Sequence, residues 1–263
     1  IFISTYICHP SMANNELSGP LVSTAIYNYF KKKKNKYSIR FVFIPETIGS
    51  ISYINKNFKK LKKNVVAGFN LTCIGDNRSY SFLPSKYDSI SNYAAKKAFK
   101  DLKIKFKEYS FLSRGSDERQ YNSPSVDLPI ASIMRTKYGE YKEYHTSKDD
   151  FKLVTINGLK GGFNVTKKAI EILMNLNLIV LKSKVQNKRY PKNKIICEPM
   201  MSKRKLYPTL GTTHRSKNLR NIMNFLQYAD GTNSMDNISK LIKINKKKTY
   251  FIYKLLKKHK VIT

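Results

Sequence analysis

IFISTYICHPSMANNELSGPLVSTAIYNYF, residues 1–30, decides the fold. Ile1 to Cys8 is an apolar, β-branched run that reads as a strand. Leu21, Val22, Ala25, Ile26, Tyr29 and Phe30 then recur at helical spacing, which puts them on one face of a helix. The same alternation runs on. Tyr37 to Ile44 reads as a second strand, Ile48 to about Leu61 as a helix, and Asn64 to Ile74 as a third strand. Ile90, Tyr93, Ala94, Ala98 and Leu102 mark another helix and Pro129 to Met134 a further strand. Thr155 to about Leu176 closes the unit as a long helix with Ile156, Leu159, Phe163, Ile170 and Leu173 inward. Apolar runs alternating with helical patterns predict an α/β domain with a largely parallel sheet flanked by helices.

Beyond this unit the composition changes. Residues 182–216 are dominated by Lys, Asn, Pro and Ser, and Pro191, Pro199 and Pro208 punctuate a stretch without helical or strand periodicity, as in a linker or an extended wrapping segment. Three short helical patterns follow: Leu219, Ile222, Met223 and Leu226, then Ile238, Leu241 and Ile242, then Ile252, Leu255 and Leu256. The breaks at Asp230-Gly231 and near Ile244-Asn245 give the spacing of a helix-turn-helix. We therefore expect an α/β domain over 1–181, a linker or wrapping segment over 182–216, and a small all-α helix-turn-helix domain over 217–263, packed through Ile222, Leu226, Leu241, Ile252 and Leu256.

The 263 residues, 41% of them hydrophobic, suffice for a real core, so disorder is not expected. The chain opens at Ile1 inside an apolar run without an initiator Met, which reads as a fragment whose upstream part is missing. The longest apolar stretch, around Ala169 to Leu181, is broken by Glu171, Asn175 and Asn177 and falls short of the roughly 20 residues a membrane span needs. Cys8, Cys73 and Cys197 are odd in number and widely spaced, which predicts buried thiols in a reducing, cytoplasmic setting rather than a disulfide framework or a Cys-rich zinc finger. The net charge is +33, from 50 Lys and Arg against 17 Asp and Glu. It divides into +18 over residues 182–263 and +15 over residues 1–181. Such charge attracts nucleic acid, anionic lipid or acidic partners. Lys and Asn are nevertheless abundant throughout, as a coding bias with lysines on solvated surface produces.

Open α/β sheets bind ligands outside the carboxyl ends of their strands. His9 comes directly after the first strand, Glu46 after the second, Asp76 just beyond the third, and His145 between the Pro129 strand and the last long helix. Two histidines and a carboxylate form a common ligand set for a catalytic zinc that keeps an open position, and a second carboxylate nearby can take the proton from water. Asp76, Asp117 and Glu118 are further acids for such a site, unless they pair with Arg78, Arg114 or Arg119. Arg114, Arg119 and Arg135 can hold a substrate carboxylate. Asp149-Asp150 are expected to cap or flank the last helix.

Five segments, CHPSMANNELSGP at 8–20, PETIGS at 45–50, FNLTCIGD at 69–76, SRGSDERQY at 113–121 and YHTSKDD at 144–150, resemble in order the signature segments of di-zinc aminopeptidases. The resemblance is closer to bacterial aminopeptidase-like proteins of the zinc exopeptidase superfamily that carry a C-terminal winged helix-turn-helix, and it covers essentially the whole chain. In the larger peptidase family the two-metal site is built from five elements: a His after a strand, an Asp in an Asp-Asn-x-Ser-Gly turn, a Glu-Glu pair, an Asp after Asn-x, and a His in a His-Thr segment. His9 matches the first and His145 the last, Ser18-Gly19 preserves the turn, and Glu46 matches one Glu. Asn15 stands where the family has its bridging Asp, Thr72 where it has the Asp after Asn-x, and Pro45 or Thr47 where it has the second Glu. Carboxylate charge is what offsets the repulsion of two dications.

The resemblance implies a zinc-dependent hydrolase of peptide or amide bonds, and the loss of two carboxylates at Asn15 and Thr72 lowers the expectation from two metals to about one zinc per chain. Its metal candidates are His9, His145, Glu46, Asn15 and Asp76, Glu46 is the catalytic base, and Arg114, Asp117, Glu118 and Arg135 lie toward substrate. The alternatives are a peptidase-fold binding or scaffold protein without turnover, and a nucleic-acid-binding regulator acting through the C-terminal domain. Lys246, Lys247, Lys248, Lys254, Lys257, Lys258 and Lys260 surround the third helix of that domain as phosphate contacts require, but its exposed face has few residues suited to reading bases, and little chain remains for a wing. Docking to a protein partner or to a second copy of the chain is the expected role, with no membrane partner.

Overall fold

A computed structural model of the chain describes residues 1–179, 186–204, 206–207 and 217–263. Pro208 and His214 lie outside them. The described chain divides into two compact units, one of Ile1–Asn122 with Leu128–Leu181 and one of Ser123–Asp127 with Lys182–Thr263. Among the described residues no helix is long and apolar enough to cross a membrane.

The first unit is a six-stranded sheet with helices on both faces. Its elements run β1 (Phe2–Tyr6), α1 (Ser18–Phe30), β2 (Arg40–Ile44), α2 (Ile48–Asn64), β3 (Gly68–Leu71), β4 (Ser81–Leu83), α3 (Ile90–Asp101), β5 (Lys107–Glu108), α4 (Glu118–Tyr121), β6 (Ile130–Met134) and α5 (Ile156–Met174). The strand order is β2-β1-β3-β6-β4-β5. All neighbours are parallel except the antiparallel pair β4/β6, so the sheet is the largely parallel one that the alternating pattern predicts. Short β4 and β5 carry no periodicity long enough to read.

Side chains alternate across β1 and sort the layers. Ile3 joins Val22, Ile26 and Phe30 of α1, Ala94 and Ala98 of α3, and Val165, Ile170 and Leu173 of α5 in one core. Phe2 faces the other side, where its ring meets Tyr53 of α2 and Tyr121 of α4. The N-terminus of α1 rests directly on the sheet at Gly19, where any Cβ would collide with Thr5 Oγ1 and the Leu71 carbonyl. This close approach holds the polar turn before α1 at the ends of β1 and β3.

Several expected positions differ in detail. The buried stripe of α1 is Val22, Ile26 and Phe30, with Leu21 and Ala25 on the solvent side, because an i, i+4 row is narrower than the apolar face of the sequence. Ile156 is 73% exposed in the first turn of α5, Tyr93 points outward, and Leu102 falls beyond the last turn of α3. Cys8 is exposed because β1 ends at Tyr6, whereas Cys73 and Cys197 are buried, and all three thiols are free.

In the second unit α6 (Lys217–Tyr228), α7 (Met235–Ile242) and α8 (Lys246–Lys258) appear as three short helices. Ser234 and Asn245 cap α7 and α8 by accepting from the Asn237 and Lys248 amides. Ile222, Leu226, Ile238, Ile242, Ile252 and Leu256 are buried, while Leu241 is 38% exposed and outside the core, since Ile238 and Ile242 already form the inward row of α7. Lys192 and Asn193, within the stretch without periodicity, bridge antiparallel to Asp230 and Ile262.

Candidate functional site

Because β1, β2, β3 and β6 are parallel, their carboxyl ends open on one edge, where sheets of this kind hold ligands. His9 follows β1 there and Glu46 follows β2. Backbone strain gathers at the same edge: Ser11, Thr47, Cys73 and His145 all hold positive φ between 45° and 63°. For β-branched Thr47, beside Glu46, that is an unusual conformation which the surroundings must impose.

The rings of His9 and His145 lie 4.8 Å apart between centroids. His145 also stacks on Tyr144 at 3.9 Å. Burial, reinforced by the neighbouring His9, lowers the His145 pKa and favours the neutral imidazole that binds metals. His9 Nδ1 is 2.7 Å from Glu16 Oε1. Glu16 is buried, and its Oε2 accepts from the Cys8 amide at 2.7 Å while Oε1 accepts from Asn15 Nδ2 at 3.0 Å.

Glu16 sits in a π-helical turn, Ala13–Leu17, that runs into α1. Buried Asp149 accepts from the amides of Asn14 at 2.6 Å and Asn15 at 3.1 Å. This carboxylate therefore caps the Glu16 turn and joins it to the His145 loop, while Thr155 caps α5 in its place. Burial and the nearby thiol of Cys73 push the Tyr141 phenol, which donates to Asp149 at 3.3 Å, far above its ordinary range.

Glu46 is half-buried. Burial first, and then the charge of Asp117, push its carboxyl up to about 7, with smaller upward contributions from Glu118 and Glu16 and an opposing hydrogen bond from Ser116. Burial raises Asp117 to about 6. Its Oδ1 accepts from the Thr47 amide at 2.7 Å and Ser50 Oγ at 2.9 Å, and its buried Oδ2 has no hydrogen-bond partner among the described residues.

Asn15 and Thr72 are tied together by Tyr6, whose hydroxyl donates to Asn15 Oδ1 at 3.0 Å and shares a short hydrogen bond with Thr72 Oγ1. Burial holds this phenol well above its ordinary pKa, so the cluster is neutral. Zinc is the group that the sequence resemblance implies, and the donors here fit one such ion. A thiol, an imidazole nitrogen and a carboxylate oxygen from Cys8, His9 and Glu16 all lie within 4.8 Å of one another. Among the described residues a second ion finds no comparable set, and Asn15 and Thr72 are uncharged and bonded to Tyr6.

Four candidates are held elsewhere. Asp76 accepts from Asn14 Nδ2, the Arg78 amide, and both the amide and hydroxyl of Thr136, which fills its lone pairs with structural bonds. Glu118 is buried and accepts from the Gly115 and Ser116 amides, Tyr138, Asn70 and Ser132. Arg135 is buried over the Tyr80 ring at 3.7 Å and donates to Asn77, and Arg114 lies over Phe111 at 5.0 Å. Arg78 pairs with Glu143 through both nitrogens instead of with an acid of the site. A cleft of about 370 Å³ lined by Ile1, Phe2, Tyr37, Arg40, Lys60 and Asn64 sits at the amino ends of β1 and β2, remote from the histidines.

Sheet order, strand-end histidines and the helical C-terminal unit define an aminopeptidase-like α/β domain followed by a winged helix-turn-helix. The chain belongs to the family described as a domain of unknown function (DUF4910), whose pattern it matches over residues 1–176, and residues 188–263 match a winged helix-turn-helix family. It is 36% identical over 212 residues to a Clostridium acetobutylicum protein named "Putative polysaccharide biosynthesis protein with aminopeptidase-like domain", covering 80% of this chain and 46% of that protein. A crystal structure of a "putative peptidase" from the same species superposes with a TM-score of 0.64 at 30% identity, over 100% of this chain and 56% of that one. A zinc aminopeptidase from Bacillus subtilis superposes with a TM-score of 0.58 at 16% identity, over 67% of this chain and 46% of that one. The chain thus spans about half the length of the relatives it matches.

Proposed function

We propose that this chain is a zinc-dependent hydrolase of peptide or amide bonds of the aminopeptidase type, with one zinc per chain at His9 and His145. The observation that carries the reading is the meeting of those two rings at 4.8 Å, on the strand-end edge that also carries Glu46 with its carboxyl pushed up to about 7. Zinc, when bound, supplies Lewis acidity toward water and the scissile carbonyl. Glu46 does the proton work: a carboxyl poised near neutrality accepts the proton of the attacking water and returns it to the leaving amine. Burial, aided by charge repulsion from Asp117, which Thr47 and Ser50 fix, keeps that carboxyl in its half-protonated range. Glu16 sets the orientation of the His9 ring through Nδ1 or an ion bound there.

Metal analysis of the zinc-supplied chain is expected to give about one zinc. His145→Ala is expected to lose it, and Glu46→Gln to keep it while abolishing hydrolysis of aminopeptide substrates. No metal with zinc supplied defeats the reading. Retained metal without turnover on a broad peptide panel favours the second reading, a peptidase-fold binding protein, which the neutral Tyr6, Asn15 and Thr72 cluster supports.

We assign the C-terminal helices a docking role toward a protein or a second copy of the chain, and the free thiols support a cytoplasmic setting. Tyr250 and Phe251 are exposed among the lysines of α8, an apolar pair suited to a protein surface. Sequence-selective mobility shifts of duplex DNA at physiological salt would replace docking by nucleic-acid recognition.

A further inference from the structure

Cys8 is exposed at the end of β1, one residue before His9, and no fold requirement explains a thiol there. Its Sγ lies 3.2 Å from His9 Nδ1 and 3.7 Å from Glu16 Oε1, and Nδ1 lies 2.7 Å from the same oxygen. The edges of a tetrahedral zinc site with one sulfur, one nitrogen and one oxygen ligand are roughly 3.4 to 3.6 Å, from bond lengths of about 2.3 Å to sulfur and 2.0 to 2.2 Å to the lighter atoms. Two of the three observed edges are within a few tenths of an ångström of that shape. The third is a hydrogen bond, which opens when an ion replaces its proton. Glu16 Oε2 is anchored on the Cys8 amide, which ties the carboxylate to the residue that carries the thiol.

We propose that Cys8 Sγ, His9 Nδ1 and the Glu16 carboxylate join His145 in binding one divalent cation of the zinc type. This deepens the reading that His9 holds a metal, and it rests on that reading. Asn15 and Thr72 bring no charge to the ion, being neutral and bonded to Tyr6. The thiolate and Glu16 bring one negative charge each. Coordination displaces the Cys8 proton to solvent, which reaches this exposed side chain directly. A thiolate in the set selects zinc, cobalt or cadmium over magnesium, calcium or manganese. The sulfur is thus a specificity element as well as a ligand.

The test is a cobalt(II) titration of the chelator-stripped chain followed by electronic absorption. The wild-type chain is expected to take up one equivalent and to show a thiolate-to-cobalt charge-transfer band in the near ultraviolet together with visible ligand-field bands. Cys8→Ser is expected to lose the charge-transfer band, keep ligand-field bands, and bind cobalt at least about tenfold more weakly. Cys197→Ser, a thiol in the other unit, is expected to leave the spectrum unchanged. Ligand-field bands without a charge-transfer band in the wild type, or a band that survives Cys8→Ser, overturns the thiolate site while leaving the His9 metal reading intact. Absence of any cobalt uptake overturns both. Because Cys8 is exposed, the serine variant is expected to melt with the wild-type chain, and circular dichroism checks this.

Discussion

His9 and His145 come from opposite ends of the first unit, and one buried carboxylate, Asp149, joins their loops by capping the turn that carries Glu16. The histidine pair is therefore assembled by a hydrogen-bonded cap between two loops. Replacement of either ring by Ala is expected to weaken zinc binding by more than about 100-fold, because loss of a direct ligand exceeds the 10- to 100-fold cost of losing a residue that only orients one. Competition with a chromophoric chelator measures this. Unchanged affinity in both variants would remove the histidines from a common site.

Asp149 itself gives a second prediction. It is fully buried and accepts from two amides of the Glu16 turn and from Tyr141. Asp149→Ala leaves those donors without a partner, and hydrogen bonds to a charged group are worth about 1.5 to 3 kcal/mol each. The variant is expected to lose at least about 2 kcal/mol of unfolding free energy in urea and to release the Glu16 turn, seen as faster hydrogen exchange of the Asn14 and Asn15 amides. Wild-type protection of those amides would show that the cap is dispensable.

The acids at the strand ends predict an unusual pH dependence. Burial raises both acids in the folded chain, with the charge of Asp117 adding to the shift of Glu46 and that of Glu118 to the shift of Asp117, so that Glu46 reaches about 7 and Asp117 about 6, above their ordinary values of 4.5 and 3.8. Between about pH 4 and 7 the unfolded chain ionises these groups while the folded chain keeps their protons. Unfolding releases protons in that window, so this contribution to stability falls as pH rises through it. In chelator-treated protein Glu46→Gln is expected to raise stability at pH 8 by on the order of 1 to 2 kcal/mol after solvent screening, and to converge on the wild type near pH 4. Thermal melts across the range decide it. A variant less stable than the wild type at pH 8 would mean that Glu46 is stabilised, not strained, by its neighbours.

The α/β alternation and three C-terminal helices were legible because apolar residues recur over whole elements. Strand-end placement made His9 and Glu46 legible for the same reason, since a strand that stops at Tyr6 or Ile44 delivers the next polar residues to the ligand-binding edge. Glu16 was not legible as a partner of His9, because the contact depends on a π-helical turn, a backbone form too rare to expect. Asp149, expected to cap or flank α5, caps the Glu16 turn instead, because a cap can act across the chain as well as along it. Asp76 and Glu118 sit close to the site in sequence, yet the amides and hydroxyls that occupy their oxygens come from distant segments, which no local pattern reveals.

The helix-turn-helix unit tests how fine such a reading can be. Leu241 and Leu256 share the same helical spacing in sequence, yet Leu256 is fully buried and Leu241 is 38% exposed. Leu256→Ala removes packed methyl groups and leaves a cavity, with an expected loss of about 2 to 5 kcal/mol for the unit. Leu241→Ala is expected to change it by less than about 1 kcal/mol, because solvent already reaches the side chain. Since the chain holds two compact units, a single melting temperature mixes their transitions, so exchange protection of the α6, α7 and α8 amides is the better measure. Equal losses in both variants would mean that Leu241 is buried in solution by a partner surface, such as a second copy of the chain. In that case the Leu241→Ala loss should shrink on dilution, whereas the Leu256→Ala loss should not.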